Sequence, residues 1–320
     1  MKALFRDLCA LLLAGLLLGG CCLAETVAGD PEARLGRGQI EYEGRTYSQR
    51  RRLTTILLMG IDRRGDETAS VGKYRNGGQA DFLTLVVIDD DLKTVSLIQL
   101  NRDTMAEITV LNVLGQVSGT RTAQLCLAYA MGDGGALSCE LMSEAVSRCL
   151  GGISVDHYAA MSLDGIGALN DALGGIEVTL EDDFSAYDES MTAGKTVRLT
   201  GEQAEYYLRQ RYYIGDGSNI SRLKRQRTYM EKAQAVVRER LKDSPSFINT
   251  LFDTVDDYLV TDMNRGRILN LSNKARSYEF GDVLQIDGQT VLGSSGYIEF
   301  YPDQDSVMDV VLNVFYEAAE

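Results

Sequence analysis

The segment Thr54-Thr55-Ile56-Leu57-Leu58-Met59-Gly60 decides the fold that we predict for this chain. Its uninterrupted apolar run, which ends at a glycine, is typical of a strand buried in a sheet. Two more apolar runs follow, Leu83 to Ile88 and Thr94 to Leu100, and Asp89-Asp90-Asp91 predicts a turn between them. The first part of the chain therefore builds a sheet.

Helical patterns dominate the rest of the sequence. We predict helices at 122–131, 138–150, 163–173, 201–210, 221–242, 246–259, 264–276 and 304–318, a strand at 176–180, an acidic loop at 181–199 and a short hairpin near 283–301. Thr200-Gly201-Glu202-Gln203 has the pattern of a capping box, which starts a helix. Because strands and helices interleave, the class is α/β (mixed α+β), with one domain over 53–320 around a central mixed sheet flanked by helices.

The N-terminus has the features of a targeting segment. Lys2 and Arg6 precede an apolar run from Leu8 to Ala24. Residues 1–24 are a signal peptide, an uncleaved membrane anchor or a lipoprotein signal, in which Cys21 would be acylated. Each alternative predicts export, so we expect the protein to be anchored to the cell membrane on its extracytoplasmic face. The polar residues 25–52 are predicted to be a linker.

Composition and charge limit the possible ligands. The 320 residues are 45% hydrophobic and 24% charged, which is ordinary globular usage, and the net charge is -14. This charge argues against nonspecific nucleic-acid binding. An anionic ligand would need a local basic pocket, since the field of the whole protein repels it.

Three cysteines remain outside the targeting segment: Cys126, Cys139 and Cys149. Cys139 and Cys149 are ten residues apart on one predicted helix, about 15 Å along its axis, which exceeds disulfide reach. Cys126 pairs with one of them, or all three are free thiols. The spacing of a zinc site is missing from the sequence, and the single histidine, His157, is predicted to be structural.

Four clusters of charged side chains are candidates for a functional site. They are Asp62 with Arg63 and Arg64, Gln79 with Asp81, Arg102 with Asp103, and a basic group of Arg209, Arg211, Arg222, Lys224, Arg225, Gln226 and Arg227. Asp62 and Arg102 follow predicted strands, and ligand sites in open α/β sheets gather at the carboxyl ends of strands.

The basic group has two interpretations. Guanidinium groups grip phosphate oxygens in two places, and crowded arginines need an anion such as a pyrophosphate to compensate their charge. Alternatively, the group is a solvated basic face that pairs with nearby glutamates. The two aspartates also have two interpretations. Asp62 and Asp81 have the oxygen ligands that Mg²⁺ prefers, but roles in turns or helix caps fit them too.

Six motifs together resemble one known family. They are Ile56–Arg64, Ala80–Leu83, Val95–Thr104, Gly174–Val178, Leu199–Ala204, and the pair Arg209-Gln210-Arg211 with Arg222–Gln226, which together span about residues 54–240. Their content and order are similar to the LytR-CpsA-Psr domain. This resemblance implies an α/β fold with a hydrophobic channel for a polyprenyl tail, and a phosphotransferase that moves a glycopolymer phosphate from a polyprenyl pyrophosphate carrier to peptidoglycan.

The resemblance also implies roles for individual residues. Arg102, Asp81, Asp103, Arg209 and Arg211 would be catalytic, Arg64, Gln79, Arg222 and Gln226 would bind substrate, and Asp62 and Asp81 would hold Mg²⁺. Two positions depart from the family pattern: Gln79 stands where the family often has arginine, and Asn101 where a proline usually precedes Arg-Asp-Thr. The Gln79 departure favours an alternative, a noncatalytic protein that binds the carrier lipid. A third hypothesis is a tethered scaffold or regulator of envelope assembly.

Overall fold

A computed structural model describes residues 38–62, 78–210, 213–215, 219–244, 246–275 and 277–319. The described residues divide into two compact units. The first contains residues 60–62 and 161–259, and the second contains 38–59, 78–160 and 260–319. The prediction of one domain over 53–320 differs from this division. The segments of the two units interleave along the chain, so no shift in composition marks a boundary between them.

A six-stranded mixed sheet lies mainly in the second unit. Its strands are β3 (Leu53–Ile61), β4 (Ala80–Asp89), β5 (Thr94–Gln99), β8 (His157–Ser162), β11 (Leu259–Thr261) and β12 (Glu279–Gln285). Their order is β11-β8-β3-β4-β5-β12. β4 and β5 are antiparallel, whereas β5 and β12 are parallel. The predicted mixed sheet is confirmed.

The central strands are apolar because both of their faces are covered. Leu57, Leu85 and Ile98 are completely buried. The turn between β4 and β5 forms as predicted, and the Asp89 carboxylate accepts hydrogen bonds from the backbone N–H groups of Asp91 and Leu92. β3, β4 and β5 therefore fix the positions of the residues that directly precede or follow them.

A hairpin follows β5 in the chain. β6 (Met105–Leu111) and β7 (Val117–Gln124) are antiparallel, and the short helix α1 (Leu127–Ala130) and helix α2 (Ala136–Cys149) come next. The predicted helix at 122–131 is therefore wrong at its start, since Gln124 pairs with Met105 in the hairpin. β7 is mostly exposed and has no apolar alternation, which explains why its sequence does not indicate a strand.

The predicted linker at 25–52 contains two strands. β1 (Gln39–Tyr42) and β2 (Arg45–Gln49) form a hairpin, and β2 also pairs with β15 (Tyr316–Ala318) near the end of the chain. Residues 39–49 are therefore part of the second unit, which corrects the linker prediction for this stretch. The segment is polar because it contributes few side chains to the core: Ile40 is its one buried residue.

The end of the chain completes the second unit. It contains helix α7 (Arg265–Ala275), the hairpin of β13 (Gly288–Leu292) and β14 (Ile298–Pro302), and helix α8 (Gln304–Phe315). The predicted hairpin and the predicted last two helices are confirmed, with bounds shifted by a few residues.

The first unit is mainly helical. It contains α3 (Asp164–Ala172), the small sheet of β9 (Glu177–Thr179) and β10 (Thr196–Arg198), α4 (Gly201–Arg209), α5 (Asn219–Asp243), α6 (Phe247–Val255) and a 3-10 turn (Asp256–Tyr258). The capping box at Thr200 is present as predicted. A core that includes Ile176, Phe184, Leu199 and Tyr229 packs these elements together. In the described part of the chain, no helix is long and apolar enough to cross a membrane; the predicted targeting segment lies outside it.

Candidate active site

An ion pair in the first unit joins two of the predicted site residues. Asp62 directly follows β3, and Arg209 is the last residue of α4. Arg209 Nη2 donates to Asp62 Oδ1 over 2.7 Å, with 29% of the Arg209 side chain and 47% of the Asp62 side chain exposed. Both groups are accessible to solvent, so an incoming anion can take the place of the carboxylate on this guanidinium.

The start and end of α4 set the position of Arg209. Thr200 Oγ1 accepts from the Gln203 N–H, and Gln203 Oε1 accepts from the Thr200 N–H, so the helix starts at a fixed point. Gly201 lies so close to α3 that a Cβ atom there would come within 2.8 Å of the Gly167 carbonyl oxygen. The helix ends at Arg209, one residue before the end of the predicted helix at 201–210.

A second cluster surrounds Arg102 in the second unit. The Arg102 guanidinium donates to Asp81 Oδ1 in a close ion pair, and its Nη2 donates to Gln79 Oε1 over 2.6 Å. Nη2 also contacts the Cys126 sulfur at 3.3 Å, and Nε lies 3.4 Å from Asp103 Oδ1. The predicted residues Gln79, Asp81, Arg102 and Asp103 therefore lie together, with two carboxylates around one guanidinium.

Burial and charge act in opposite directions on these groups. Burial alone would lower the pKa of Arg102, but the neighbouring Cys126, Asp81 and Asp103 raise it above its ordinary value. Burial raises the pKa of the Asp103 carboxyl, and this effect outweighs the opposing influence of Arg102 and Gln124. Asp103 is thus a stronger base than an ordinary aspartate, and Arg102 is permanently charged.

Three groups that sequence reasoning missed hold Asp103 in place. Gln124 Nε2 donates to Asp103 Oδ1 over 3.0 Å and to the Ile298 carbonyl over 2.7 Å. The Phe300 N–H donates to the Asp103 carbonyl, and the Asp103 N–H donates to Asn101 Oδ1. Gln124 and Phe300 are far from Asp103 in sequence, so no local pattern indicates these contacts.

The remaining predicted site residues are only partly described. Arg64 and Arg211 lie outside the described residues, and Arg222 and Gln226 lie on α5 with side chains outside the description. His157 Nδ1 lies 2.9 Å from Asp262 Oδ2, and the Tyr158 N–H donates to the same carboxylate, in agreement with a structural role.

All three cysteines of the described residues are free thiols, so the disulfide alternative is wrong. Burial raises the pKa of Cys126 and of Cys149 to about 11 and that of Cys139 to about 12. Thiols with such pKa values are protonated at neutral pH and react slowly.

Comparison with known proteins shows the family of this chain. A model described as the LytR_cpsA_psr family matches residues 28–313. The chain belongs to this family. The LytR_cpsA_psr match begins ahead of the β1–β2 hairpin, so that hairpin is part of the family's domain as well as of the second unit.

Two named relatives of this LytR_cpsA_psr protein are similar over much of its length. "Biofilm regulatory protein A" of Streptococcus mutans is 32% identical over 56% of this chain and 42% of its own length. "Polyisoprenyl-teichoic acid--peptidoglycan teichoic acid transferase TagU" of Enterococcus faecalis is 31% identical over 72% of this chain and 68% of its own length. The match thus spans less than half of the first relative.

A solved structure has the same fold as this LytR_cpsA_psr chain. Protein gbs0355 from Streptococcus agalactiae superposes with a TM-score of 0.62 over 82% of this chain and 86% of that one, at 24% identity. At this identity the likeness concerns the fold alone, and it agrees with the predicted α/β class.

Proposed function

We propose that this chain is a phosphotransferase that moves a glycopolymer phosphate from a polyprenyl pyrophosphate carrier onto peptidoglycan. One observation carries the proposal: Arg102 and Arg209, which the family resemblance assigned to a pyrophosphate, are each held in place by aspartates and each keep 29% of the side chain exposed. Solvent access leaves each of these fixed guanidinium groups open to an anionic ligand. The name of the Enterococcus relative, a teichoic acid transferase, supports the same reaction class.

The reaction forms one P–O bond and breaks another. A sugar hydroxyl of peptidoglycan attacks the phosphorus that bears the glycopolymer, and polyprenyl phosphate leaves with the electrons of the broken P–O bond. Catalysis of such a transfer is mostly positioning and charge stabilisation. Arg102, Arg209 and Arg211 would supply positive charge to the transfer, and Arg222, Gln226, Arg64 and Gln79 would bind substrate.

Asp103 is the preferred acceptor of the hydroxyl proton. Its pKa is raised by burial, and its side chain keeps a fixed position through Gln124. Asp81 is the second candidate, but the Arg102 guanidinium already engages its carboxylate in a close ion pair.

The residues of the candidate site fit a Mg²⁺ ion that protein carboxylates and substrate phosphates would bind together. Among the described residues, no group of three or more histidine, cysteine, aspartate or glutamate side chains can hold a metal by itself. Asp62 and Asp81 supply carboxylate oxygens, which suit Mg²⁺, and phosphate oxygens commonly complete its shell. We propose that Asp62 or Asp81 holds Mg²⁺ together with the diphosphate, where the ion would neutralise phosphate charge.

Location follows from the same proposal. A carrier with a polyprenyl tail resides in the membrane, so the protein would be anchored there through residues 1–24 and would act on the extracytoplasmic face. A hydrophobic channel would hold the tail. Mass spectrometry of the mature N-terminus tests the anchor: an acylated Cys21 would identify a lipoprotein, and an intact Met1 an uncleaved anchor.

A transfer assay tests the function. The full-length protein in detergent is given Mg²⁺, peptidoglycan and a polyprenyl pyrophosphate donor that carries a radiolabelled glycan phosphate. The proposal predicts label in the peptidoglycan and release of one polyprenyl phosphate for each glycan attached. Pyrophosphate-linked donor that stays intact under these conditions would contradict it.

A noncatalytic carrier-lipid protein is the second candidate. The four acceptors around Arg102 favour it, because Gln79, Asp81, Asp103 and Cys126 together engage the guanidinium before any ligand arrives. The same assay separates the two candidates, since this one predicts stoichiometric donor binding with no phosphate release.

A further inference from the structure

Arg225 is a buried arginine that the proposed chemistry does not use. It lies on α5 and its side chain is only 5% exposed. Its guanidinium donates to two backbone carbonyls of α4: Nε to Tyr207 over 2.9 Å, and Nη2 to Gln210 in a short hydrogen bond. A guanidinium that is buried against carbonyl oxygens is not available to a substrate.

The two carbonyls flank Arg209. The last carbonyls of a helix have no partner within the helix, and the final turn frays unless something else satisfies them. Arg225 supplies donors to the carbonyls two residues before and one residue after Arg209. It therefore fixes the turn from which the Arg209 side chain reaches Asp62, and the backbone that immediately precedes Arg211.

Other contacts hold the Arg225 guanidinium itself. Nη1 lies 3.4 Å from Asp182 Oδ2 and 3.1 Å from Ser221 Oγ, and the group lies 5.3 Å from the centre of the Phe184 ring. The planar fork of arginine can satisfy all of these partners at once, whereas the single ammonium of lysine cannot. The geometry thus requires arginine rather than any cation at this position.

We propose that Arg225 is a positioning residue, which acts through Arg209 by clamping the end of α4. The role of Arg209 in pyrophosphate binding rests on the proposed function. The clamp itself rests on the contacts of the first unit.

Arg240 provides a matched control on the same helix. Its Nη2 donates to the Leu173 carbonyl just after α3 over 3.1 Å, and its guanidinium lies 5.3 Å from the centre of the Phe247 ring. Like Arg225 it donates to a backbone carbonyl near a helix end and lies near an aromatic ring, but it is exposed, and that helix carries none of the predicted site residues. Arg225→Lys, Arg225→Met and Arg240→Lys are compared in the full-length protein in detergent.

Calorimetry with inorganic pyrophosphate is the first readout, beside the thermal unfolding midpoint of each variant. We expect at least a tenfold loss of pyrophosphate affinity in Arg225→Lys, a larger loss in Arg225→Met, and a change of less than twofold in Arg240→Lys. A folded Arg225→Lys that binds pyrophosphate within twofold of the parent would overturn the proposal. So would equal losses in Arg225→Lys and Arg240→Lys, which would indicate general destabilisation.

A crystal structure of Arg225→Lys is the second readout and does not depend on the proposed function. We expect Arg209 Nη2 to lie more than 4 Å from Asp62 Oδ1 in this variant, because the last turn of α4 is no longer held. An unchanged Arg209–Asp62 contact overturns the clamp. If the parent itself fails to bind pyrophosphate, the proposed function loses its support, and this structure still decides the role of Arg225.

Discussion

Arg209 Nη2 donates a hydrogen bond to Asp62 Oδ1 although the two residues are 147 positions apart in the chain. The pair joins the residue that follows β3 to the last residue of α4, a helix that begins with a capping box. Because both side chains are partly exposed, the pair adds little to stability, and exchange of the carboxylate for a phosphate costs correspondingly little. Such an exchange would let an acidic protein hold an arginine ready for an anionic donor.

Removal of the Arg209 guanidinium is expected to reduce transfer strongly. Loss of one group that stabilises developing charge lowers turnover by about 100-fold or more. We therefore expect Arg209→Ala to lower the transfer rate by at least this factor while it leaves the thermal unfolding midpoint nearly unchanged. Radiolabel transfer and circular dichroism measure the two quantities.

Arg198→Ala is the control for this variant. Arg198 also lies in the first unit and pairs with Glu177 at 3.5 Å on an exposed surface. We expect its transfer rate to stay within twofold of the parent. Equal rates in Arg209→Ala and the parent would remove Arg209 from the mechanism.

We expect the paired N–H donors of the Arg102 guanidinium to contribute to transfer as well as its charge. Arg102→Lys keeps the charge but loses the paired donors that reach Asp81 and Gln79, so we expect at least a tenfold lower transfer rate. Arg148→Lys is a close control, since Arg148 is also 29% exposed and pairs with Glu144 and Glu107. Retained activity in Arg102→Lys, or an equal loss in Arg148→Lys, would argue against a role for this fork.

The pH dependence of transfer reports on Asp103. Its pKa lies above the ordinary 3.8, so the carboxylate gains a proton at a higher pH than usual and the acid limb of the rate profile is shifted upward. The hydrogen bond from Gln124 opposes this shift by stabilising the ionised form. Gln124→Leu should therefore move the acid limb to still higher pH, as a rate profile between pH 3 and 8 measures.

Gln116→Leu serves as the control, since Gln116 lies near the tip of the same hairpin and away from Asp103. An acid limb at the same pH in Gln124→Leu and the parent would show that Asp103 does not control the rate.

Asp90 is expected to contribute stability that depends on pH. Burial alone would raise the pKa of its carboxyl, but hydrogen bonds from Lys274 and Tyr278 and the charge of Lys274 lower it below 3.8. A lowered pKa in the folded state stabilises the protein above the ordinary pKa, and this contribution is lost as the pH falls through the folded value. We expect Asp90→Asn to lose about 1–3 kcal/mol at pH 7.

Urea unfolding at several pH values measures this effect. The difference in the free energy of unfolding between the parent and Asp90→Asn should have its largest value at pH 7 and should become smaller below about pH 4. A difference that stays constant down to pH 3 would contradict the assigned pKa direction.

The sequence predicts the elements whose signal is local. The apolar runs at Ile56 and Leu83 and the capping box at Thr200 each depend on neighbouring residues, and each forms as predicted. The strand β7 and the hairpin at 39–49 have no such local signal in the sequence. Their side chains are mostly exposed, and long-range pairing, such as that of β2 with β15, holds them instead.

The candidate site follows the same rule. The clusters at Asp62 and Arg102 were found because each follows a predicted strand, and the cluster at Asp81 because it precedes one. Gln124 and Cys126 were missed because they contact the site from a segment that the sequence assigned to a helix. Arg225 was placed among the anion-binding candidates, since no sequence pattern distinguishes a buried arginine from an accessible one.

Mass spectrometry of the lipid that copurifies with the full-length protein shows whether this protein holds a polyprenyl carrier through its arginines. The comparison is between the parent and a variant that carries both Arg102→Ala and Arg209→Ala. We expect a polyprenyl phosphate or diphosphate bound to the parent and at least tenfold less of it on the folded double variant. A parent without polyprenyl lipid, or equal amounts on both proteins, would contradict this expectation.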